Sequence, residues 1–353
     1  MKINRAVLEN ALSKVKPGLE KGKEYIEQMK HVLFDGSDIA TYNDHIAVLL
    51  PFETDFKTSV RFEDLFKAVG TTFAGVEEID FSVNDKNQLI LKSGKTKVGL
   101  KTTEEDELGG RLEDIKAQLP TEENGLYWTA IPDDFIQAVS LCVFSASNNM
   151  MLGPLTCIHI ENDGVISSDN YRISWFKFEN EIEEDKIDVL IQASDAKELV
   201  NFPVTDMCIS DAWCHFITDE DIIFSTRIVE GEFMDVKTPF SQTREGVEIT
   251  FPDSLKEKID GMLFLTEGDT QLDKYIDIDF TKDLLTCKAK NDRGWVENTV
   301  ELEYSGEDKF LSINPIFLSQ ILSQTTTAIV GEVKSVLKAG NFHHILMHKN
   351  TMG

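Results

Sequence analysis

LTCIHIENDGVISSDNYRISWFKF, residues 155–178, consists of apolar or alternating runs broken by the turn residues Asn, Asp and Gly. Such runs fit short strands of an antiparallel sheet. The same texture occurs in HVLFDGSDIATYNDHIAVLL at 31–50 and in YIDIDFTKDLLTCKAK at 275–290. A second strand cluster follows each, at 79–102, 208–229 and 335–348.

Two series of amphipathic stretches alternate with these clusters. The first series lies near Arg5–Val15, Pro132–Ser145 and Pro252–Leu265, and the second near Phe62–Val69, Ser194–Val200 and Pro315–Leu322. Phe135, Val139, Cys142 and Val143 have helical spacing, and Pro132 and Pro252 are each followed by acidic residues, which marks a helix start. Both series recur about every 120 residues, the size of an ordinary domain and far beyond a solenoid repeat. The order helix, strands, helix, strands thus predicts three tandem α+β domains, at 1–121, 122–245 and 246–353. The boundaries fall in the polar stretches Thr103–Asn124 and Ser241–Glu248, and ENEIEEDKID at 179–188 reads as a solvated charged loop or, equally, a long acidic strand connection.

Length agrees, since 353 residues exceed what one core usually supports. No run approaches the roughly eighteen unbroken apolar residues of a membrane helix, and the start mixes charges into an amphipathic pattern. The chain is therefore expected to be soluble and unsecreted. Five cysteines, an odd count without a CxxC pair and mostly in apolar runs, read as buried reduced thiols.

The charge of −27 opposes a protein that grips DNA by neutralising phosphates. Its distribution is uneven. Basic and acidic residues number 17 and 21 in residues 1–121, 7 and 24 in 122–245, and 11 and 17 in 246–353. Acidity therefore concentrates in the middle third.

Several segments resemble the bacterial-type sliding clamp, the beta subunit of the replicative DNA polymerase. SSDNYRIS (167–174) is similar to the family's Thr-Asp-Gly-His-Arg-Leu turn, and STRIVEGEFMD (225–235) to its Ser-Arg-Leu-Ile-Glu-Gly-Tyr-Pro-Asp segment. ELEYSGEDKFLSINPIFLSQIL (301–322) resembles the stretch that runs into the closing amphipathic helix. The first third matches in pattern only, through ALSKVKPGL, LLPFETDFKTSVRFEDLFKAVG and LILKSGKTKVGLKT. The motifs keep the family's order and spacing. Asn170 and Tyr171 replace the family's turn glycine and histidine, which fits a divergent member, bacterial or phage-encoded.

The resemblance implies a non-enzymatic processivity factor: a head-to-tail homodimer of six domains that encircles double-stranded DNA, tethers a DNA polymerase and is opened by an ATP-dependent clamp loader. It implies no cofactor, no metal and a cytoplasmic location, in the bacterial cell or the phage host. Topological linkage removes the need for tight phosphate contacts, which reconciles the family with the acidic charge. DNA-facing candidates are Lys14, Lys16, Lys21, Lys23, Arg61 and Lys67, each of which also reads as a solvated surface residue. Dimer-interface candidates are Val98 and Leu100 on one sheet edge, against Leu263 and Phe264 of the partner. An inward core reading serves the first two equally.

A groove for partner peptides is implied at Ser168, Asn170, Arg172 and Ile173, with Asn314 and Phe317, then Leu346, Met347 and Lys349, together with Leu152 and Pro239. Without the family, Ile173, Phe317 and Leu346 are ordinary core residues and Asn314 an ordinary helix cap. An acidic protein-binding scaffold of the same fold that does not encircle DNA is the competing function.

No phosphate loop, GxGxxG, HExxH, CxxC or GxSxG occurs. The adjacent His343 and His344 should point to opposite faces of a strand, which prevents them from sharing a metal.

Overall fold

A computed structural model describes residues 1–22, 27–103, 107–241, 246–266 and 273–349. All six expected helical regions are present. The helices are Arg5–Val15, Phe62–Lys67, Phe135–Cys142, Ala193–Leu199, Ser254–Asp260 and Pro315–Leu322, and several continue into a short irregular turn.

The chain divides into two compact units. The first holds residues 1–136, 182–184 and 194–229, and the second holds 137–181, 185–193 and 230–353. Each takes one terminal third of the chain together with part of the middle third.

The first unit carries a 12-stranded antiparallel sheet. Strands of residues 2–103 continue into those of 129–227 where Ile46–Pro51 pairs with Ile223–Arg227. Helix Arg5–Val15 begins because Asn4 Oδ1 accepts the amides of Ala6 and Val7 at 2.9 and 3.2 Å. Its Leu8, Ala11, Leu12 and Val15 are buried, at helical spacing, so one face packs inward. Gly18 then passes so close to strand Asp38–Tyr42 that a Cβ there would meet the Thr41 carbonyl oxygen at 2.8 Å.

The polar stretch read as a boundary, Thr103–Asn124, contains a further helix, Glu107–Lys116. Leu108, Leu112 and Ile115 recur at i, i+4 and i+7 and fill a cluster with Tyr42, Leu49 and Trp213. Lys116 closes its end by bridging Asp35 and Asp38, both at 2.5 Å; burial raises the Asp35 carboxyl, but the Lys116 ammonium and the Asp38 and Ser37 amides outweigh this and hold it at about 2.

The second unit has an 8-stranded sheet and a 4-stranded sheet. In the 8-stranded sheet Arg172–Lys177 pairs with Phe342–Met347, joining strands of the middle third to strands of the last third. One face of that sheet presents Ile166, Ile173, Trp175, Val336 and Ile345. Val236 covers it, and Phe233, Phe240 and Met347 pack around the margin. The charged 179–188 stretch lacks regular structure up to strand Asp188–Gln192, although Ile182 and Ile187 within it are buried.

All five cysteines are free and buried. Burial raises the thiols of Cys142, Cys208, Cys214 and Cys287, to about 11 at Cys208 and about 12 at Cys287, so thiolate chemistry is suppressed there at neutral pH.

Candidate functional site

The turn that opened the sequence reading organises the second unit. Asp169 Oδ1 accepts the amides of Tyr171 and Arg172, an Asx turn, and Asn170 between them takes φ 74°. Asn is the commonest residue after glycine in that left-handed region, which explains how it replaces the glycine of the related motif. Ser168 Oγ donates to the Arg172 carbonyl at 2.9 Å.

The Arg172 side chain goes inward. Its Nε donates to Asp169 Oδ2 at 2.9 Å, Nη2 donates to the Phe144 carbonyl at 2.7 Å, and Nη1 donates to Gln320. The guanidinium lies 3.9 Å from the Phe317 ring centroid. Burial pushes the Asp169 carboxyl up and the Arg172 guanidinium down, each against the attraction of the other. Asn314 caps helix Pro315–Leu322 by accepting the amides of Ile316 and Phe317. Ser168, Arg172, Asn314, Phe317 and Leu346 are thus buried framework. A polar substitution at Phe317 or Leu346 would probe folding before it probed a groove.

The remaining groove candidates lie nearer the surface. Asn170 and Lys349 are exposed, Leu152, Pro239 and Met347 are half-buried, and Ile173 lies just beneath. Ile173 and Met347 belong to the apolar sheet face. Lys349 Nζ sits 3.5 Å from the Tyr275 ring centroid.

The margin of this face is cationic. Lys177 Nζ lies 4.1 Å, and Lys237 Nζ 5.9 Å, from the Trp175 ring centroid. Lys237 is paired with Glu161 at 2.9 Å and Asp163 at 3.4 Å, while Lys334 donates to the Pro239 carbonyl at 2.5 Å. Phe240 lies on both Trp175 and His343, with centroids at 5.4 and 6.2 Å. Motif comparison missed Trp175, Lys177 and Phe240. Alternation from Ile173 would have placed Trp175 and Lys177 on its face.

His344 points to the opposite side, as expected from its neighbour. Its Nδ1 meets Ser174 Oγ at 2.9 Å and its ring stacks on Phe144. Burial drives its pKa well below 6.5, so the ring is neutral. Among the described residues, no group of three or more His, Cys, Asp or Glu side chains could hold a metal ion. No helix is long and apolar enough to cross a membrane.

In the first unit the DNA-facing candidates fall in different settings. Lys14 is bound to Glu220 and Lys21 to Glu198, both at 2.5 Å. These pairs stand in the walls of a cleft of about 600 Å³ whose apolar lining includes Pro17, Phe202, Pro203 and Ile222. Lys16 and Lys67 are exposed, with no acidic partner among the described residues. Arg61 approaches Glu27 only to 3.9 Å. Lys23 lies outside the described residues.

The dimer-interface candidates occupy open features. Strand Thr96–Thr103 pairs with Gln88–Ser93 on one side, but on the other it meets Thr58–Arg61 only at Thr102 and Thr103. Thr96–Lys101 is therefore a free edge among the described residues, and Val98 and Leu100 on it are half-buried. In the second unit Phe264 is 69% exposed and Leu263 half-buried. Gly294–Glu301 is an end strand of the 4-stranded sheet, with Trp295 exposed on it.

No protein-family model matches the sequence, and no curated protein matches it. Solved structures do. The DNA polymerase III subunit beta from Pseudomonas aeruginosa superposes with a TM-score of 0.81 at 15% identity, covering 99% of both chains. The beta chain from Streptococcus pneumoniae gives 0.82 at 17% identity over 98% of both. The beta subunit from Thermotoga maritima gives 0.80 at 17% over 98% of both. The chain has the sliding-clamp fold, of α+β class.

Proposed function

We propose that this chain is a DNA sliding clamp, a non-enzymatic processivity factor that encircles double-stranded DNA and tethers a DNA polymerase. The observation that carries the reading is the likeness in fold to the beta subunits over 98–99% of both chains. In this reading the three domains are 1–121, 122–245 and 246–353, and two chains supply six.

Closure would join the free edge Thr96–Lys101 of one protomer to the end strand Gly294–Glu301 of its partner, with Val98, Leu100, Leu263 and Phe264 at the junction. A head-to-tail contact of this kind closes into a ring when its rotation allows. Pairing also protects two edges that would otherwise invite aggregation. A closed ring needs an ATP-dependent loader to open it, and it works by effective concentration: each polymerase rebinding becomes intramolecular. Its place is the cytoplasm of a bacterium, or of the host for a phage-encoded chain.

A partner's peptide would lie over the apolar sheet face around Ile173 and Met347, where backbone hydrogen bonds and a few apolar anchors can supply the affinity. The pairing of Lys14 and Lys21 with glutamates favours a second reading, a scaffold of the same fold that does not hold DNA. Mass measurement in solution tests ring assembly. A species of twice the chain mass is expected, and a persistent monomer at micromolar concentration would contradict the ring.

A further inference from the structure

Two open strand edges, one in each unit, have the same backbone pattern. Strand Thr96–Thr103 follows Gln88–Ser93 through a two-residue turn, and strand Gly294–Glu301 follows Leu284–Asn291 in the same way. In both strands the even-numbered residues bond to their own sheet. The ladders close at Ser93 with Thr96 and at Asn291 with Gly294, and the amides of Thr102 and Leu302 donate to the carbonyls of Asn87 and Asp283. Bonding alternates along a strand, so the odd-numbered residues turn their N–H and C=O groups to the free edge. Their side chains share the outer face: Lys97, Gly99 and Lys101 on one edge, and Glu297, Thr299 and Glu301 on the other, all exposed.

One edge is cationic and the other anionic. Lys97 and Lys101 have no acidic partner among the described residues, and Lys97 stands directly opposite the like-charged Lys92. Like charges so placed are destabilising. Glu301 stands opposite Leu284 and has no cationic partner among the described residues. Glu297 lies 3.2 Å from Lys288, which itself faces Asp277 across the ladder. At Thr102 strand Thr58–Arg61 takes over the cationic edge, which limits a visiting strand to the stretch before it.

We propose that two copies of this chain join in one register, with Lys97, Gly99 and Lys101 of one protomer opposite Glu301, Thr299 and Glu297 of the other. The inference rests on the ring reading and adds what fixes the register and polarity of the joint. All three are hydrogen-bonded pairs, whose Cα atoms lie about 5.5 Å apart. Lys101, Glu297, Lys288 and Asp277 then form a row of alternating sign across the joined sheet, and Lys97 gains the counter-charge that Lys92 denies it. On the inner face Val98 meets Val300. A slip of two residues one way sets the lysines against Thr299 and Trp295. The other way it sets Lys101 against Thr299 and Gly99 against Glu301. A slip of one turns the two faces over. Two lysine edges or two glutamate edges repel, so the chains join head to tail.

The test follows the mass of the full chain in solution at about 50 mM salt, where charge pairs are weakly screened. K97E/K101E has acidic side chains on both edges, and E297K/E301K has lysines on both. Each alone should associate at least about tenfold more weakly than the unaltered chain. Their equimolar mixture should recover a species of twice the chain mass, which also shows that both variants are folded. G99C/T299C should give a covalent dimer on oxidation with diamide, because Cα atoms about 5.5 Å apart suit a disulfide. G99C/E297C, displaced by two residues, should not. The five native cysteines are buried and do not compete. Charge variants that dimerise alone, a mixture that stays at single-chain mass, or cross-linking of G99C/E297C in place of G99C/T299C overturns the register, while a dimer of the unaltered chain leaves the ring standing. A persistent monomer of the unaltered chain overturns the ring reading and the register together.

Discussion

Lysines stand beside apolar surface in both units, but their surroundings differ. In the first unit Lys14 and Lys21 flank the cleft and are held by Glu220 and Glu198. In the second, Lys177 and Lys338 stand at the rim of the apolar face without acidic partners. The comparison teaches that a lysine's availability to an anionic ligand is set by what the fold places against it. Unpaired lysines occur in both units among the described residues: Lys177 and Lys338 at the rim of the apolar face, and Lys16 and Lys67 in the first unit. Where DNA contacts were expected, three of the five described candidates are engaged: Lys14 and Lys21 closely and Arg61 at the limit of an ion pair.

The comparison sharpens first at the most deeply paired cation. Arg172 is enclosed by Asp169, Gln320 and the Phe144 carbonyl, so R172M strands a buried carboxylate and should cost about 3–5 kcal/mol. The urea midpoint reads this. A change within 0.5 kcal/mol would show that the pair is dispensable.

A buried base gives the next largest effect. His215 lies between Ser225 and Ser210, and burial lowers its pKa from 6.5 to about 4. Between those values the unfolded chain takes up a proton that the folded chain refuses. The stability contributed by His215 is therefore complete above pH 6.5 and is lost as pH falls toward 4, by up to about 3 kcal/mol. H215N should lose less stability than the unaltered chain between pH 7 and 4.5. Identical losses would place the acid sensitivity elsewhere.

Releasing the paired lysines is a smaller effect on folding. The double variant E198Q/E220Q frees Lys21 and Lys14 and should shift unfolding by less than about 1 kcal/mol, because both pairs are solvent-facing. On duplex DNA it should bind severalfold tighter at low salt and steepen the dependence of log affinity on log salt by about 0.9 for each lysine that reaches a phosphate. An unchanged slope would mean that these lysines do not face DNA. Smallest of all, K16Q should alter stability by less than about 0.5 kcal/mol.

Much of the fold was legible in the sequence because it is periodic: six amphipathic helices and their intervening strands follow from spacing and turn residues alone. Helix Glu107–Lys116 was hidden by composition, since acidic residues and Gly109–Gly110 disguise the i, i+4, i+7 spacing of Leu108, Leu112 and Ile115. The candidate site was less legible. A motif shows which residues form a turn but not which side of it is buried, so Phe317 and Leu346 read equally as groove and as core residues; both are buried. Ion pairs were beyond reach of any local pattern: Glu198 and Glu220 stand 177 and 206 positions from the lysines they hold. Trp175 and Lys177 were reachable through strand alternation, and no motif pointed to them.

The clamp reading is tested most directly by topology on DNA. The chain is incubated with nicked circular duplex and ATP together with the loader that the clamp reading requires, washed at high salt, and followed as the circle is cut once. Retention on the circle with rapid release on linearisation is the predicted result; equal release from circular and linear DNA would contradict encirclement.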